Sequence, residues 1–218
     1  MDPDPFQLEI ARLALDASAR HGFALAGGQA LIAHGIVARP TTDVDLFTDV
    51  ESGVAVAAGP VAAALAAAGM SVEPVAEEAG VEDMFDGFDV NLAEFVVSRG
   101  PDVARLQLVY FGRSRAPVAM AVGPVLDLVD VVGGKAAALA TRAELRDLID
   151  VAAILRRFSR AEIMTLARRA DPALTDEEFA DAVARLDRVA DATFTEVYGV
   201  TAAEVAKIRD AFADWPRP

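Results

Sequence analysis

The sequence predicts an α+β protein, with a small mixed β-sheet and flanking helices over residues 1–124 and a helical region over 125–218. Three observations predict it. Strand-like alternation is confined to the first part. Ser/Thr-x-x-Glu boxes, each the mark of a helix start, fall in the last part. The third is a Gly-Gly turn that precedes an Asp-x-Asp strand by about fifteen residues. Runs of strands followed by runs of helices fit α+β better than a doubly wound sheet.

The elements follow in order. Asp4-Pro5 is a good helix start, with Gln7 at the capping-box position. Phe6, Ile10, Leu13 and Ala17 then recur at helical spacing, and the pattern extends to Arg20. Phe23 to Ala26 reads as a short buried strand, Gly27-Gly28 as the turn, and Gln29 to His34 as a short apolar helix. Val44, Leu46 and Thr48 alternate with Asp43, Asp45 and Phe47, the strand period. Residues 51–69 read as a buried helix, too short and too interrupted by Gly59 and Pro60 to span a bilayer. Phe88 to Ser98 and Val103 to Phe111 read as strands about a Gly100-Pro101 turn, and Pro117 to Val122 offers another. From about residue 125 the pattern is helical. Thr141/Glu144, Ser159/Glu162, Thr175/Glu178 and Thr201/Glu204 each predict a helix start.

Composition narrows the classes. At 54% hydrophobic over 218 residues the chain can bury a sizeable core. With no cysteine it has neither a disulfide framework nor a thiolate metal site. His21 and His34 are its only histidines, which argues against zinc. The opening MDPDPFQLEI has no basic stretch leading into an apolar run, so it does not read as a secretory signal, and the expected setting is the cytoplasm with no membrane role. A net charge of −14 argues against broad, non-specific binding to nucleic acid. It leaves room for a local basic groove. Arg142, Arg146, Arg156, Arg157, Arg160, Arg168 and Arg169 cluster toward the C-terminus, where pairing with the abundant acids is the favoured reading.

The chemistry concentrates in residues 23–48. Glycines between a strand and a helix let backbone approach an anion closely, and Gly27-Gly28 sits there. Asp43 and Asp45 are two apart on a strand, so both carboxylates stand on one face. Like charges so placed repel and are best tolerated around a cation. Mg²⁺ suits them, because it takes one or two carboxylates together with phosphate oxygens. Arg39 either touches a phosphate or pairs with an acid. Gly133-Gly134 inside a helical pattern costs about 1 kcal/mol per glycine, which suggests close approach of backbone or ligand beside Lys135. On the predicted helix 142–155, Arg142, Arg146, Asp150 and Arg157 fall on one polar stripe with Asp147 at its edge. The stripe faces either a cleft or solvent, where an Arg146–Asp150 pair would form.

Strand, Gly-Gly, helix and a strand carrying Asp-x-Asp together resemble the polymerase-β-like nucleotidyltransferase superfamily. The string GGQALIAHGIVARPTTDVDLF, with KAAALATRAELRDLIDV over 135–151, resembles the AbiEii/AbiGii toxin family in particular. The likeness covers roughly residues 23–155, and residues 156–218 match only in being helical. It implies a nucleotidyltransferase core over 1–124 and a helical region beyond. Gly27 and Gly28 match the phosphate loop, Asp43 and Asp45 the metal ligands, Lys135 the lysine that holds the triphosphate, and Asp147 and Asp150 the acids of the last motif. Two departures matter. Gly28 stands where many superfamily members have a serine hydroxyl, and Gln107 stands where they often carry a third carboxylate. A neutral amide cannot act as a general base at pH 7. Either another acid such as Asp89 or Glu94 serves, or two carboxylates suffice, or activity is impaired.

The resemblance implies Mg²⁺-dependent transfer of NMP from a nucleoside triphosphate to an acceptor hydroxyl. It further implies a toxin of a toxin–antitoxin pair with a cognate antitoxin. Some relatives modify the acceptor end of tRNA, which makes tRNA the expected acceptor; a protein or small molecule is the other option. Two alternatives are a non-catalytic nucleotide- or partner-binding protein of the same fold and an antibiotic-type nucleotidyltransferase.

Overall fold

The computed structural model describes residues 4–75 and 91–218, and the chain divides into two compact units. The first comprises residues 1–33 with 40–127, and the second 34–39 with 128–218.

Among the described residues the first unit is built on a seven-stranded mixed sheet. Helix α1 (Pro5–Ala17) starts where Asp4 Oδ1 accepts from the backbone N–H groups of Phe6 and Gln7. It ends at Ala17, and Ala19–His21 continues only as a short 3-10 turn. Strand β1 (Ala24–Leu25), helix α2 (Gly27–Ala33) and strand β2 (Asp43–Thr48) follow. Helix α3 (Gly53–Ala67) leads to β3 (Ser71–Pro74), and β4 (Leu92–Arg99), β5 (Asp102–Tyr110), β6 (Val118–Met120) and β7 (Gly123–Val125) complete the sheet. The strand order is β3-β4-β5-β2-β1-β7-β6. Strand β2 runs antiparallel to β1 and parallel to β5, while β4 and β5 form an antiparallel hairpin. Val44 and Leu46 of β2 and Leu106 and Leu108 of β5 are fully buried on one face of the sheet. Their alternating neighbours form the other face.

Two expectations need correction here. Helix α3 is not buried on all sides: Val54, Ala57, Val61 and Leu65 are buried at helical spacing, while Val56, Gly59 and Pro60 are exposed. Alanine is small enough to stand in water at little cost, so an Ala-rich helix can be amphipathic in burial without being so in hydropathy. Gln7 also does not close a capping box, because its side chain reaches across to the backbone of Thr41. Of the strand expected over 88–98, residues 88–90 lie outside the described residues, as does Asp89.

The second unit is helical: α4 (Leu128–Thr141), α5 (Leu145–Ile154), α6 (Arg160–Ala170), α7 (Asp176–Arg188), α8 (Asp191–Tyr198) and α9 (Ala202–Ala211). Ser159, Thr175 and Thr201 cap α6, α7 and α9 with reciprocal bonds to Glu162, Glu178 and Glu204. Thr141 does not start a helix. It ends α4, its hydroxyl donating back to the Ala137 carbonyl at 3.0 Å, and α5 starts at Leu145 after Ala143 turns the backbone at φ 50°. Gly133 is explained by packing: a Cβ there would lie 2.7 Å from the Leu166 carbonyl oxygen of α6. Trp215 docks, buried against Phe179 and Phe212.

Candidate active site

Each unit holds one cluster of residues singled out in the sequence. In the first, Asp43 and Asp45 alternate with the buried Val44 and Leu46, so both carboxylates stand half-buried on the opposite face of β2. The register extends that face. Asp43 pairs with Arg105 and Asp45 with Gln107 on β5, and Gln107 pairs in turn with Glu94 on β4. Gln107 Nε2 donates a short hydrogen bond to Glu94 Oε1. A carboxylate therefore does lie in the same row as Asp45, one strand beyond the position where Gln107 replaces an acid. Among the described residues no three acids or histidines gather closely enough to form a metal cage.

Gly27 meets this face directly. Its φ is 59°, the left-handed region, and a Cβ on it would lie 1.6 Å from Asp45 Oδ2. No side chain fits, so the turn backbone and the Asp45 carboxylate share one small space. Gly28, the next residue, is buried in the first turn of α2. Gln29, buried one residue further on, ties the turn to the strand. Its Nε2 donates to the Asp43 carbonyl at 3.3 Å and to Gln7 Oε1 at 3.0 Å, and Gln7 Nε2 donates to the Thr41 carbonyl at 2.7 Å. This amide relay was not foreseen from the sequence, since nothing local marks glutamines 22 positions apart as partners.

The donor set fits a hard divalent cation. Two carboxylates on one strand face supply only oxygen donors, the kind such a cation takes.

In the second unit, Lys135, Asp150 and Arg39 form a buried triad. Arg39 Nε and Nη2 donate to Oδ1 and Oδ2 of Asp150, each at 2.7 Å, a bidentate fork. Lys135 Nζ lies 2.9 Å from the same Oδ2. Asp150 is 0% exposed and Lys135 9%. Burial pushes the Asp150 carboxyl up, but the hydrogen bonds from Arg39 and the charge of Lys135 outweigh it and hold the group below the usual carboxylate range. Burial likewise opposes the charge on Arg39, and Asp150 overrides it. The Arg146–Asp150 pair considered from spacing is not the one made: Arg146 pairs with Glu144. Asp147, also fully buried, accepts from Arg142 through both oxygens at 2.9 Å and from the Glu144 N–H at 3.2 Å. Its place is the N-terminal cap of α5. Arg156 and Arg157 donate to the carbonyls of Ile36 and Gly35, and Arg160 and Arg168 meet Asp214 and Asp176. The arginine cluster is thus largely spent within the protein.

The model of the family described as nucleotidyl transferase AbiEii toxin, type IV toxin–antitoxin system, matches residues 10–213. The chain belongs to the AbiEii family. No curated protein matches it. Among solved structures, JHP933 from Helicobacter pylori is similar with a TM-score of 0.58 at 12% identity, over 96% of this chain and 91% of that one. MenT4, a nucleotidyltransferase toxin from Mycobacterium tuberculosis, is similar with a TM-score of 0.56 at 16% identity, over 95% of this chain and 83% of that one. At such identities these likenesses speak for the fold. AbiEii membership makes the protein a toxin-type nucleotidyltransferase, with a nucleoside triphosphate as donor and a cognate antitoxin. No described helix is long and apolar enough to cross a membrane.

Proposed function

We propose that this protein transfers a nucleoside monophosphate to a hydroxyl of tRNA with Mg²⁺ held by Asp43 and Asp45. The observation that carries the reading is the approach of Gly27 to Asp45, which only glycine permits. It sets a turn suited to phosphate oxygens against the acid pair suited to the cation. The bound cation would neutralise charge on the phosphates. Gly27 and Gly28 would cradle the triphosphate through backbone N–H groups, since no hydroxyl stands in the turn. Lys135 would stabilise charge on the leaving pyrophosphate, and Asp150 would hold the lysine in place together with Arg39. Arg39, fully engaged with Asp150 in a bidentate fork, supports the cluster better than it would a direct phosphate contact. Asp147 supports it by starting α5. Glu94, held by Gln107, is the acid in the Asp45 row that would accept the hydroxyl proton.

The test is transfer of label from each α-³²P nucleoside triphosphate into total RNA and total protein with Mg²⁺. The Asp43→Ala/Asp45→Ala double variant is the control. The expected outcome is label in RNA that vanishes in the variant. Label in protein would replace the acceptor, and no label from folded protein would overturn the reading.

A further inference from the structure

We propose that Arg105 is the contact through which the carboxylate face takes a phosphate-bearing, nucleic-acid acceptor. That transfer occurs on this face, and to RNA, rests on the reading above; what is added here is the residue that meets the acceptor's phosphate.

The register fixes the position. Arg105 pairs with Asp43 in the parallel β2–β5 ladder, so its side chain leaves the sheet on the same face as both acids. Paired strands lie about 4.8 Å apart, which makes Arg105 an immediate neighbour of Asp43. Strand β5 has β2 on one side and β4 on the other, so the guanidinium stands on a fixed stem and not on a loop.

Its partners, or lack of them, give the role. Arg105 is exposed, and among the described residues its guanidinium makes no hydrogen bond or ion pair. Carboxylates are plentiful in this chain, which has 34 acids to 20 bases. Arg39, Arg99, Arg113 and Arg142 are each paired with a carboxylate. Open among the described residues, the fork beside these two acids can receive an incoming anion, and phosphate matches it in bidentate geometry. A net charge of −14 repels a polyanion at long range, so any nucleic-acid contact must be local and cationic. Arg105 supplies such a contact next to the reacting groups, and it would repel a polycationic acceptor of the antibiotic kind.

Filter binding of bulk tRNA across a salt series tests this without turnover, using wild type, Arg105→Gln and Arg105→Lys. Removing one phosphate contact weakens binding, by about five- to tenfold at fixed salt, and lowers the slope of log affinity against log salt by about one; the lysine variant keeps the slope. An arginine that merely offsets Asp43 would leave the slope unchanged. Equal affinity and slope in wild type and Arg105→Gln would overturn the inference. Arg105→Met, which keeps the alkyl stem, replaces the glutamine variant should that one fail to fold. The labelled transfer assay, run in parallel, separates the two readings. Salt-dependent binding through Arg105 with no transfer keeps this inference and sinks the transferase reading on RNA. Transfer and binding indifferent to Arg105 do the reverse.

Discussion

The two units handle buried acids in opposite ways. In the first, Asp43 and Asp45 stand side by side, half-buried, on a strand face where their like charges repel. In the second, Asp150 is sealed from solvent and already holds two cations, Arg39 and Lys135. On the proposed reading a cation from solution would join the first arrangement, whereas the second holds Arg39 and Lys135 against its carboxylate. Removing an acid should therefore cost function in one unit and stability in the other.

The sharpest way to break that contrast is the Asp43→Ala/Asp45→Ala variant. Transfer should fall to background, while the thermal midpoint stays level or rises as the repulsion is lost. A large loss of stability would mean that the pair is structural. Next in size is Asp150→Asn, which strands two buried cations. Breaking a buried pair costs about 3–5 kcal/mol, so chemical denaturation should show a loss of that order. A loss below about 1 kcal/mol, the range of an exposed pair, would erase the distinction.

Acid titration sharpens the same point. The folded-state pKa of Asp150 lies below its unfolded value, so its contribution to stability is fully present above the unfolded pKa of about 3.9 and is lost as pH falls through the folded one. Wild type should lose stability below about pH 4, and Asp150→Asn should lose less over that range. An unchanged acid limb in the variant would show that other carboxylates dominate. Last comes Gly27→Ala. The left-handed backbone costs about 1–2 kcal/mol with a side chain, but the new Cβ must also displace the Asp45 carboxylate. Transfer should fall much further than stability does, and proportionate losses would detach Gly27 from the site.

Local signals were legible and distant ones were not. The β2 alternation placed Asp43 and Asp45 on one face because a strand has a period of two, and the caps at Ser159, Thr175 and Thr201 are complete within four residues. Thr141 misled because Glu144, the supposed partner, itself precedes α5. Strand β3 was missed: Ser71–Pro74 is a mostly exposed edge without alternation. Arg39 was left between phosphate and acid, since its carboxylate lies 111 residues away and no spacing rule reaches so far. Arg105, two residues before Gln107 on the predicted strand, shares the face of Asp43 only through the β2–β5 register, which spacing alone does not give.

The second unit owns residues 34–39, a short stretch made long before the rest of it. During synthesis, at about 5–20 residues per second, Arg39 waits on the order of ten seconds for Asp150 to emerge. The helical unit is thus not a separable C-terminal fragment. A cut after residue 127 would take away the arginine that shares Asp150 with Lys135, along with the Gly35 and Ile36 carbonyls that Arg157 and Arg156 use. Dissecting this toxin into working pieces calls for a circular permutant that carries 34–39 with the helices.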